Sequence, residues 1–401
     1  MFKSRDNFHF SLCVGVVVPR NILLFLSAQM DCVGGGTAFH DVIAELRKLT
    51  TQVTHVIPVS NDEGSAAEIL RVFGGPAVGD LRSRCLALSD GSNVETLAVR
   101  ALLGHRLPND PRRAKSEWYQ IVEGEHTLWI GLSEAHRQII RGFSVHFQTQ
   151  VHLRSDEKFC FSDGSIGDFF LVGARIFSLS LDAATLLFSE VLGIPAGSKV
   201  LPVISTSDRL TLGCQLMDSK EREIIRGHKK ISHPSDRLPH SSRIKRVFYV
   251  SSEGDNEVFP SVNPAVLKHL DEVDCIVYEM GSLFTSICSS LLLNGVGEKI
   301  ASRTCPKVLI LSGSNDFETS GFKASSYVTV ITEALNRVHG NGRNRLRNKP
   351  KHYITTLFVP KGYKFVVDNR LLEEQEVFDV SVSSFCHVLM FRIEQEDQRY
   401  R

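Results

Sequence analysis

Residues 53–84 read VTHVIPVSNDEGSAAEILRVFGGPAVGDLRSR, and the order of residue types in this stretch decides the fold class. Residues 53–59 form a short run rich in β-branched side chains, which is typical of a buried strand. After a polar turn, apolar residues recur at helical spacing over 65–73. A glycine-rich turn, 74–80, then leads into another helix. A strand that passes through a turn into a helix is the repeating unit of a parallel α/β sheet.

The same alternation continues on both sides of this stretch. An amphipathic helix is predicted over 39–46, because its apolar residues fall at i, i+3, i+4 and i+7. Further helical periods cover 132–143 and 166–187. Strands separated by helices predict a parallel sheet with right-handed crossovers and both faces covered. The later strand candidates are 199–204, 246–250, 275–278, 307–311 and 354–359.

Three polar stretches depart from this alternation. Residues 209–217 alternate in polarity, which predicts a strand of a hairpin beside the sheet. Residues 218–246 are rich in charge, His, Ser and Pro, so we interpret them as a surface loop or insertion. Residues 337–351 contain six Arg and Lys and no acid. A solvated basic loop and a contact for an acidic partner or a phosphate both stay open for that stretch.

Composition excludes several classes of protein. With 42% hydrophobic and 23% charged residues, the chain differs from disordered, collagen-like and disulfide-scaffold sequences. Its net charge of +1 leaves no overall basic field for nucleic acid. Nine cysteines without a C-x-x-C pair indicate reduced thiols rather than a disulfide frame or a zinc site. Length alone allows two to three domains at roughly 150 residues each, but the pattern favours one large α/β domain over 33–385.

The two ends of the chain differ from this domain. Residues 1–32 form an atypical leader whose apolar runs, 11–18 and 22–27, are separated at Pro19 and are each too short to span a bilayer. Two strand-like pieces, a signal peptide and a plastid or other organelle transit peptide stay open for the leader. Unpaired cysteines favour an intracellular soluble protein, cytoplasmic by default. We interpret residues 386–401 as a C-terminal tail.

A run of three glycines precedes the first predicted helix. Gly34, Gly35, Gly36 and Thr37 lie between an apolar stretch and a helix that starts near residue 38. Glycines let the backbone approach a ligand closely, and the N–H groups and dipole at a helix start favour an anion. Thr37 is a candidate cap for that helix. A phosphate-binding turn and a plain tight turn are both compatible with this run.

Acidic residues end the next two turns. Asp62 follows the strand at 53–59, and Asp80 lies between Gly79 and Arg82. Ligands of open α/β sheets bind outside the carboxyl ends of the strands, so Asp62 is a candidate to hold Mg²⁺ or to accept a proton. Helix capping is the alternative role for Asp62. The alternative for Asp80 and Arg82 is a cap with a surface ion pair.

Two more Gly/Ser turns enter helices. They are 162–168, SDGSIGD, and 281–285, GSLFT. Four such turns on one predicted parallel sheet suggest an edge that surrounds a phosphate-bearing ligand with backbone amides.

Five separated blocks of the sequence resemble the CofD/YvcK family, in particular its plant and fungal members. They are GGGTAF (34–39), VIPVSNDEGSAAEILRVFGGPAVGDLRSR (56–84), FSDGSIGDFF (161–170), YEMGSLFTSI (278–287) and ETSGF (318–322). The resemblance covers about 33–380. It implies a Rossmann-like, doubly wound, mostly parallel sheet with helices on both faces and a loop or hairpin insertion.

The resemblance also implies a ligand. The CofD branch is 2-phospho-L-lactate transferase, which moves a phospholactyl group from lactyl diphosphoguanosine to a deazaflavin and releases GMP with Mg²⁺ present. The YvcK branch binds a nucleotide sugar and acts in regulation. A nucleotide-diphosphate or nucleotide-sugar ligand is therefore implied more firmly than turnover.

Residue roles follow from the matched blocks. The resemblance implies catalytic and metal-binding roles for Asp62 and Asp80. Residues 29–32 lack the continuous apolar strand of related chains. The residues implied to contact the nucleotide or its phosphates are Gly34, Gly35, Gly36, Thr37, Gly79, Arg82, Ser162, Gly164, Gly167, Gly281, Ser282 and Thr285.

Several positions depart from the family pattern. Asn61 replaces the first of two adjacent acids, and Glu63 stands where the family usually has Gly. Losing one carboxylate is expected to weaken Mg²⁺ binding. Asp163 and Asp168 stand at expected Asn positions, and Glu279 replaces a smaller residue. Extra carboxylates beside a phosphate are expected to repel it unless they point away or share a metal.

These observations leave three functions open. The first is a CofD-type transferase, and the second is a non-catalytic, nucleotide-sugar-binding regulatory protein. The third is an interaction protein with a decayed site. We expect no nucleic-acid partner and no membrane partner, and homo-oligomerisation stays open.

Overall fold

The structure is a computed structural model that describes residues 29–382, except 36, 90, 92, 155–157, 218–223, 234–242, 252–255 and 341–343. The apolar runs of the leader, Gly36 and the tail at 386–401 lie outside the described residues. Within the described ranges, every helix is too short or too polar to cross a lipid bilayer.

Strands and helices alternate through most of the described chain. The strands are β1 (Gln29–Val33), β2 (Gln52–Ile57), β3 (Ser198–Pro202), β4 (Leu210–Leu216), β5 (Ile225–Arg226), β6 (Ile244–Ser251), β7 (Glu257–Val258), β8 (Cys275–Tyr278), β9 (Lys307–Ile310), β10 (Thr356–Pro360) and β11 (Phe378–Val382). The helices are α1 (His40–Leu49), α2 (Ser65–Phe73), α3 (Gly79–Leu88), α4 (Val94–Gly104), α5 (Pro111–Glu123), α6 (Glu134–Leu153), α7 (Ile166–Ser178), α8 (Leu181–Val191), α9 (His228–Ser232), α10 (Pro264–Glu272), α11 (Ser289–Leu291), α12 (Val296–Ser302), α13 (Ala324–Leu335) and α14 (Asn369–Glu374). A π-helical turn, Leu283–Cys288, runs directly into α11.

Seven strands form one parallel sheet in the order β11-β10-β9-β8-β1-β2-β3. The α/β class and the parallel sheet predicted from the alternation are confirmed. Most of the predicted strands fall within one or two residues of the observed bounds. Strand β1 is an interior strand that pairs with β2 on one side and with β8, the middle strand of the seven, on the other.

The order of these strands places a crevice at the centre of the sheet. From β1 the chain adds β2 and β3 towards one edge, and later adds β8 to β11 towards the other edge. The direction of growth therefore reverses between β1 and β8. In open α/β sheets, ligands bind outside the carboxyl ends of the strands at such a reversal. The loops after β1, β2 and β8 are the ones that meet there.

A second, four-stranded antiparallel sheet has the order β5-β4-β6-β7. The expectation of a hairpin at 209–217 agrees with β4. Residues 246–250 were expected among the strands of the alternating series, but they belong to β6, which pairs antiparallel with β4. A short apolar run does not show which sheet it joins, because its partner is fixed by tertiary packing.

Three other segments differ from expectation. The helical stretch at 166–187 is two helices, because Leu179 adopts a left-handed φ of 55° and the hydroxyl of Ser180 caps α8. Residues 29–32, assigned to the leader, form most of β1. The 218–246 insertion contains β5, α9 and the start of β6 among its described residues.

Candidate functional site

The glycine turns after β1 and β8 meet at the centre of the sheet edge. A Cβ atom on Gly35 would lie 2.8 Å from Pro58 Cγ and 3.1 Å from a carboxylate oxygen of Asp80. A Cβ on Gly281 would lie 3.1 Å from the carbonyl oxygen of Gly35. A side chain at Gly34 would collide with Glu279, its Cβ 2.9 Å from Glu279 Cβ. Close packing at the reversal point therefore requires these glycines.

Asp80 presents a carboxylate oxygen without a partner to this glycine turn. It lies in the first turn of α3 and is buried. Its Oδ1 accepts a hydrogen bond from the Asn61 side chain at 3.2 Å, whereas its Oδ2 is buried and accepts none from the described residues. Burial raises the pKa of Asp80 to about 6, against the lowering effects of Asn61, Arg84 and Arg82. An unpaired buried carboxylate oxygen is costly unless a cation or a proton neutralises it.

Glu279, the unexpected acid of the fourth turn, is fully buried and paired with Arg84. The two guanidinium nitrogens of Arg84 each donate to one Glu279 oxygen at 2.5 Å. Arg84 also lies 2.8 Å from His55 Nδ1. Although burial by itself raises the pKa of Glu279, the charge and hydrogen bonds of Arg84 and a hydrogen bond with His55 outweigh it and hold the pKa below its usual value. Glu279 is thus neutralised and does not repel an anionic ligand.

Cys32, His55 and Glu279 lie close enough together to hold a metal ion, since their ligand atoms are within 4.8 Å of one another. The positive charge beside these residues comes from Arg84 instead, because its guanidinium binds both oxygens of Glu279. Burial raises the pKa of the Cys32 thiol well above its usual value, which disfavours the thiolate that a metal needs. We interpret this group as a buried ion pair rather than a metal site.

Asp168, another unexpected acid, joins the first turns of three helices. Its Oδ2 accepts a 2.6 Å hydrogen bond from Ser65 at the start of α2. Its Oδ1 lies 3.3 Å from Nε of Arg82 in α3. Asp168 itself is in the first turn of α7. Its charge is therefore partly balanced by Arg82, and it fixes helix starts in place rather than facing a ligand unopposed.

Asp62 and Glu63 contact the insertion. Asp62 Oδ1 accepts a 2.8 Å hydrogen bond from the backbone N–H of His228, the first residue of α9. Glu63 Oε1 accepts from the Ser232 hydroxyl at 3.3 Å and lies 3.8 Å from Nε2 of His228. The capping alternative for Asp62 therefore agrees with the structure, although the capped helix is α9 rather than α2. Asp62 Oδ2 accepts no hydrogen bond from the described residues.

This contact predicts a stability difference between two variants of Asp62. Asp62→Ala removes the acceptor for the His228 N–H, so we expect the free energy of unfolding to fall by about 1 kcal/mol, as for a lost helix cap. Asp62→Asn keeps an acceptor oxygen, so its free energy of unfolding is expected to fall by only a few tenths of that amount. Urea denaturation followed by circular dichroism measures both. Equal losses in the two variants would contradict the capping role.

Ser282 and Thr285 lie where the resemblance implies a phosphate cradle, but the protein's own carboxylate occupies the donors at Thr285. Glu318 Oε2 accepts from the N–H groups of Phe284 and Thr285 at 2.7 and 3.2 Å, and Oε1 accepts from the Thr285 hydroxyl at 2.5 Å. Burial raises the pKa of Glu318 to about 7 despite these hydrogen bonds. Thr285 therefore binds Glu318 in the loop after β9. Its donors are not free to bind an anionic ligand.

Of the remaining predicted residues, Gly164 and Gly167 are required for close packing, whereas Thr37, Gly79 and Ser162 show no such constraint. A Cβ on Gly167 would lie 2.5 Å from the Leu103 carbonyl oxygen, and one on Gly164 would lie 2.4 Å from the Phe169 ring. The side chain of Thr37 does not cap α1, whose N-cap residue is Phe39. Ser162 lies 3.3 Å from the Cys160 sulfur. Gly79 starts α3 with open space at its Cβ position.

The structure thus brings Gly34, Gly35, Gly281 and Asp80 together, with Arg82 on the same helix as Asp80. Sequence reasoning missed the roles of three residues: Arg84, Glu318 and His228. Arg84 and Glu318 lie within the sequence blocks that resemble the family, so the resemblance could have drawn attention to both. His228 lies in the insertion, outside those blocks, so no motif pointed to it.

The residues present fit a magnesium ion. Mg²⁺ in nucleotide sites is bound by one or two carboxylates together with substrate phosphates and water. Asp80 offers an unpartnered buried oxygen, Oδ2, directed at the glycine turn. Asp62 Oδ2 is a second candidate from the neighbouring loop, which contacts Asp80 through Asn61.

Known proteins resemble this chain over most of its length. The family model described as 2-phospho-L-lactate transferase CofD matches residues 31–386. The Saccharomyces cerevisiae protein YNL011C is 28% identical, over 86% of this chain and 92% of its own length. The gluconeogenesis factor of Halalkalibacterium halodurans is 25% identical, over 75% of this chain and 71% of its own length.

A solved structure shows the same fold. The crystal structure of a UPF0052-family protein from Bacillus halodurans superimposes with a TM-score of 0.63 at 21% identity, covering 89% of this chain and 93% of that one. At this identity the likeness establishes the fold alone. The family model, by contrast, spans most of the chain and includes all four glycine-rich turns. The chain therefore belongs to the CofD family.

Proposed function

We propose that this protein is a CofD-type transferase that binds a nucleoside diphosphate conjugate at the carboxyl edge of β1, β2 and β8. The proposed reaction is phospholactyl transfer from lactyl diphosphoguanosine to a deazaflavin hydroxyl, with release of GMP. The observation that carries the proposal is the unpartnered Oδ2 of Asp80 beside Gly35. A buried anionic oxygen beside a turn with no side chains suits a cation that bridges to a phosphate.

Charge at the edge supports a polyanionic ligand. Glu279 is compensated by Arg84 at 2.5 Å, and Asp168 lies 3.3 Å from Arg82. Glu279 and Asp168 are therefore not free negative charges at the glycine turn. Arg82 is partly exposed, with 14% of its side chain accessible, so it can also contact a phosphate.

In the proposed reaction, Mg²⁺ bound to Asp80 would neutralise charge on the diphosphate. The glycine turn lets the diphosphate approach the backbone, where amide groups stabilise negative charge. The acceptor oxygen attacks phosphorus, a new P–O bond forms, and the P–O bond to GMP breaks. Asp62 Oδ2, which accepts no hydrogen bond from the described residues, takes the proton of the acceptor hydroxyl, and in this role it is not a ligand of the ion at Asp80.

The test is GMP release by the purified full chain with Mg²⁺, lactyl diphosphoguanosine and a deazaflavin acceptor, measured by liquid chromatography. We expect turnover, and a loss of about 100-fold or more in Asp80→Asn, since removing one group that stabilises transition-state charge costs that much. Asp379→Asn, an exposed acid on the edge strand β11, serves as the matched control and should keep full activity.

Two results would contradict the transferase. One is no GMP at any protein concentration while the nucleotide still binds, which is the behaviour of a non-catalytic sensor. The other is full turnover in Asp80→Asn, which would place the chemistry elsewhere.

A further inference from the structure

An apolar groove lies between the antiparallel sheet and the helices that follow β8 and β9. Its walls are β6 on one side and the segment from Phe284 through α11 together with α13 on the other. The lining is mostly carbon, contributed by Phe248, Phe259, Phe284, Leu292 and Val330. Sites for small molecules have this character, with an apolar lining and a few polar groups that fix orientation.

The lining of the groove does not include Asp80 or the glycines of the proposed nucleotide site. The π-helical turn starts just after the carboxyl end of β8 and continues into α11. Leu293 and Asn294, which follow α11, line the groove. So do Arg337 and Arg345, which follow the carboxyl end of α13. The groove is therefore formed by segments other than those that carry Asp80 and the glycine turn after β1.

Two cations on the groove have no acidic partner among the described residues. They are Lys245 on β6 and the exposed Arg345. Of the acids of the lining, Glu257 is paired with Arg246 at 2.8 Å, and Glu333 lies 3.5 Å from Nε2 of His339, a pair that is ionic only when that histidine is protonated.

Arg337, another lining cation, is paired with Glu298. Lys245 and Arg345 therefore place two positive charges beside the apolar wall that no acid of the described residues pairs with. The basic stretch at 337–351 thus divides into residues with a partner and residues without one. Lys349 and Lys351 belong to the first group, because both pair with Glu376.

We propose that this groove binds an amphipathic phosphate, a phosphate monoester whose other end is an apolar chain or ring. The apolar part would cover Phe248, Phe284 and Val330, and the phosphate would meet Lys245 and Arg345. A phosphate monoester carries close to two negative charges at neutral pH, which two unpaired cations match. Arginine also matches phosphate geometry through paired N–H donors. Neither the proposed reaction nor its substrate is needed for this site.

Octyl phosphate is a suitable probe for isothermal titration calorimetry on the full chain, without nucleotide or Mg²⁺. We expect saturable binding of octyl phosphate, and binding at least about 10-fold weaker for inorganic phosphate, octanol and octylammonium, each of which lacks one of the two recognition elements. A tenfold loss corresponds to about 1.4 kcal/mol. Octanoate tests the head group, and we expect it to bind more weakly than octyl phosphate.

Variants locate the site. The double variant Lys245→Gln/Arg345→Gln is expected to weaken octyl phosphate at least about 10-fold, and Val330→Trp, which fills the groove, should abolish binding. Arg347→Gln is the matched control, since Arg347 is exposed on the same segment but does not line the groove. A normal melting temperature for each variant shows that it is folded.

Three results would overturn the proposal. They are octanol or octylammonium binding as tightly as octyl phosphate, octanoate binding as tightly or more tightly, and unchanged affinity in the double variant. Because no nucleotide is present, these results are independent of whether the transferase proposal holds.

Discussion

Glu279→Gln is expected to lower the free energy of unfolding by about 3–5 kcal/mol, the range measured when one partner of a buried ion pair is removed. The reason is the environment of Arg84, which is 1% exposed and makes its two shortest hydrogen bonds with Glu279. Without the carboxylate, the guanidinium remains buried beside the neutral ring of His55 and the face of Phe39, and it loses the anion that binds two of its nitrogens. Urea denaturation monitored by circular dichroism gives the value.

The exposed pair Arg370–Glu374 provides the control for Glu279→Gln. Its atoms lie 3.3 Å apart with both side chains largely in water, so Glu374→Gln should cost well under about 1 kcal/mol. The double variant Arg84→Met/Glu279→Gln should lose less than Glu279→Gln alone, because no charge is left buried. A loss for Glu279→Gln no larger than that for Glu374→Gln would contradict the ion-pair interpretation.

Asp31→Asn is expected to stabilise the protein above pH 7 relative to wild type. Asp31 lies in the interior strand β1, is 2% exposed, and its Oδ2 accepts no hydrogen bond from the described residues. Burial raises its pKa from 3.8 to about 7, against the lowering effects of Thr54 and Lys199. The folded state therefore keeps this proton at a pH where the unfolded state has released it.

The pH dependence follows from that difference. Between about pH 4 and pH 7 the folded state binds more protons than the unfolded state, so the stability of the wild type falls as the pH rises through this window. Above pH 7 the full cost is present, at most about 4 kcal/mol for a shift of this size. Asp31→Asn has no such cost, so its advantage over wild type should grow from pH 4 to pH 8.

Unfolding in urea at several pH values measures this advantage. Asp274→Asn is the matched control, because Asp274 accepts from the first N–H of the same strand but is exposed to water in the folded protein. A stability difference between wild type and Asp31→Asn that is the same at pH 4 and pH 8 would contradict the account of Asp31.

The parallel sheet could be predicted from the sequence because its strands are short β-branched runs separated by helices. Strand β1 was missed because Asp31 lies in its middle. A carboxylate there breaks the apolar run by which buried strands of a parallel sheet are recognised. Strand β6 was predicted as a strand but expected in the wrong sheet. Tertiary packing pairs β6 with β4, and the composition of β6 alone does not reveal that partner.

At the candidate site, Asp80 and the glycine turns could be proposed from the sequence, because each lies a few residues from a predicted strand or helix. The partners of the extra acids could not be predicted. Arg84 and Glu279 are 195 residues apart, and Ser65 and Asp168 are 103 apart. Only the fold brings them together, so acids that suggested repulsion of a phosphate are balanced in the structure.

The most direct test of the account is the affinity of the purified chain for GDP by isothermal titration calorimetry, with and without Mg²⁺. We predict binding that requires Mg²⁺, a loss of at least about 10-fold in Asp80→Asn, equivalent to about 1.4 kcal/mol, and no change in Asp379→Asn. Failure of the wild type to bind GDP with Mg²⁺, or equal affinity in wild type and Asp80→Asn, would contradict a nucleotide diphosphate site at Asp80 and the glycine turn.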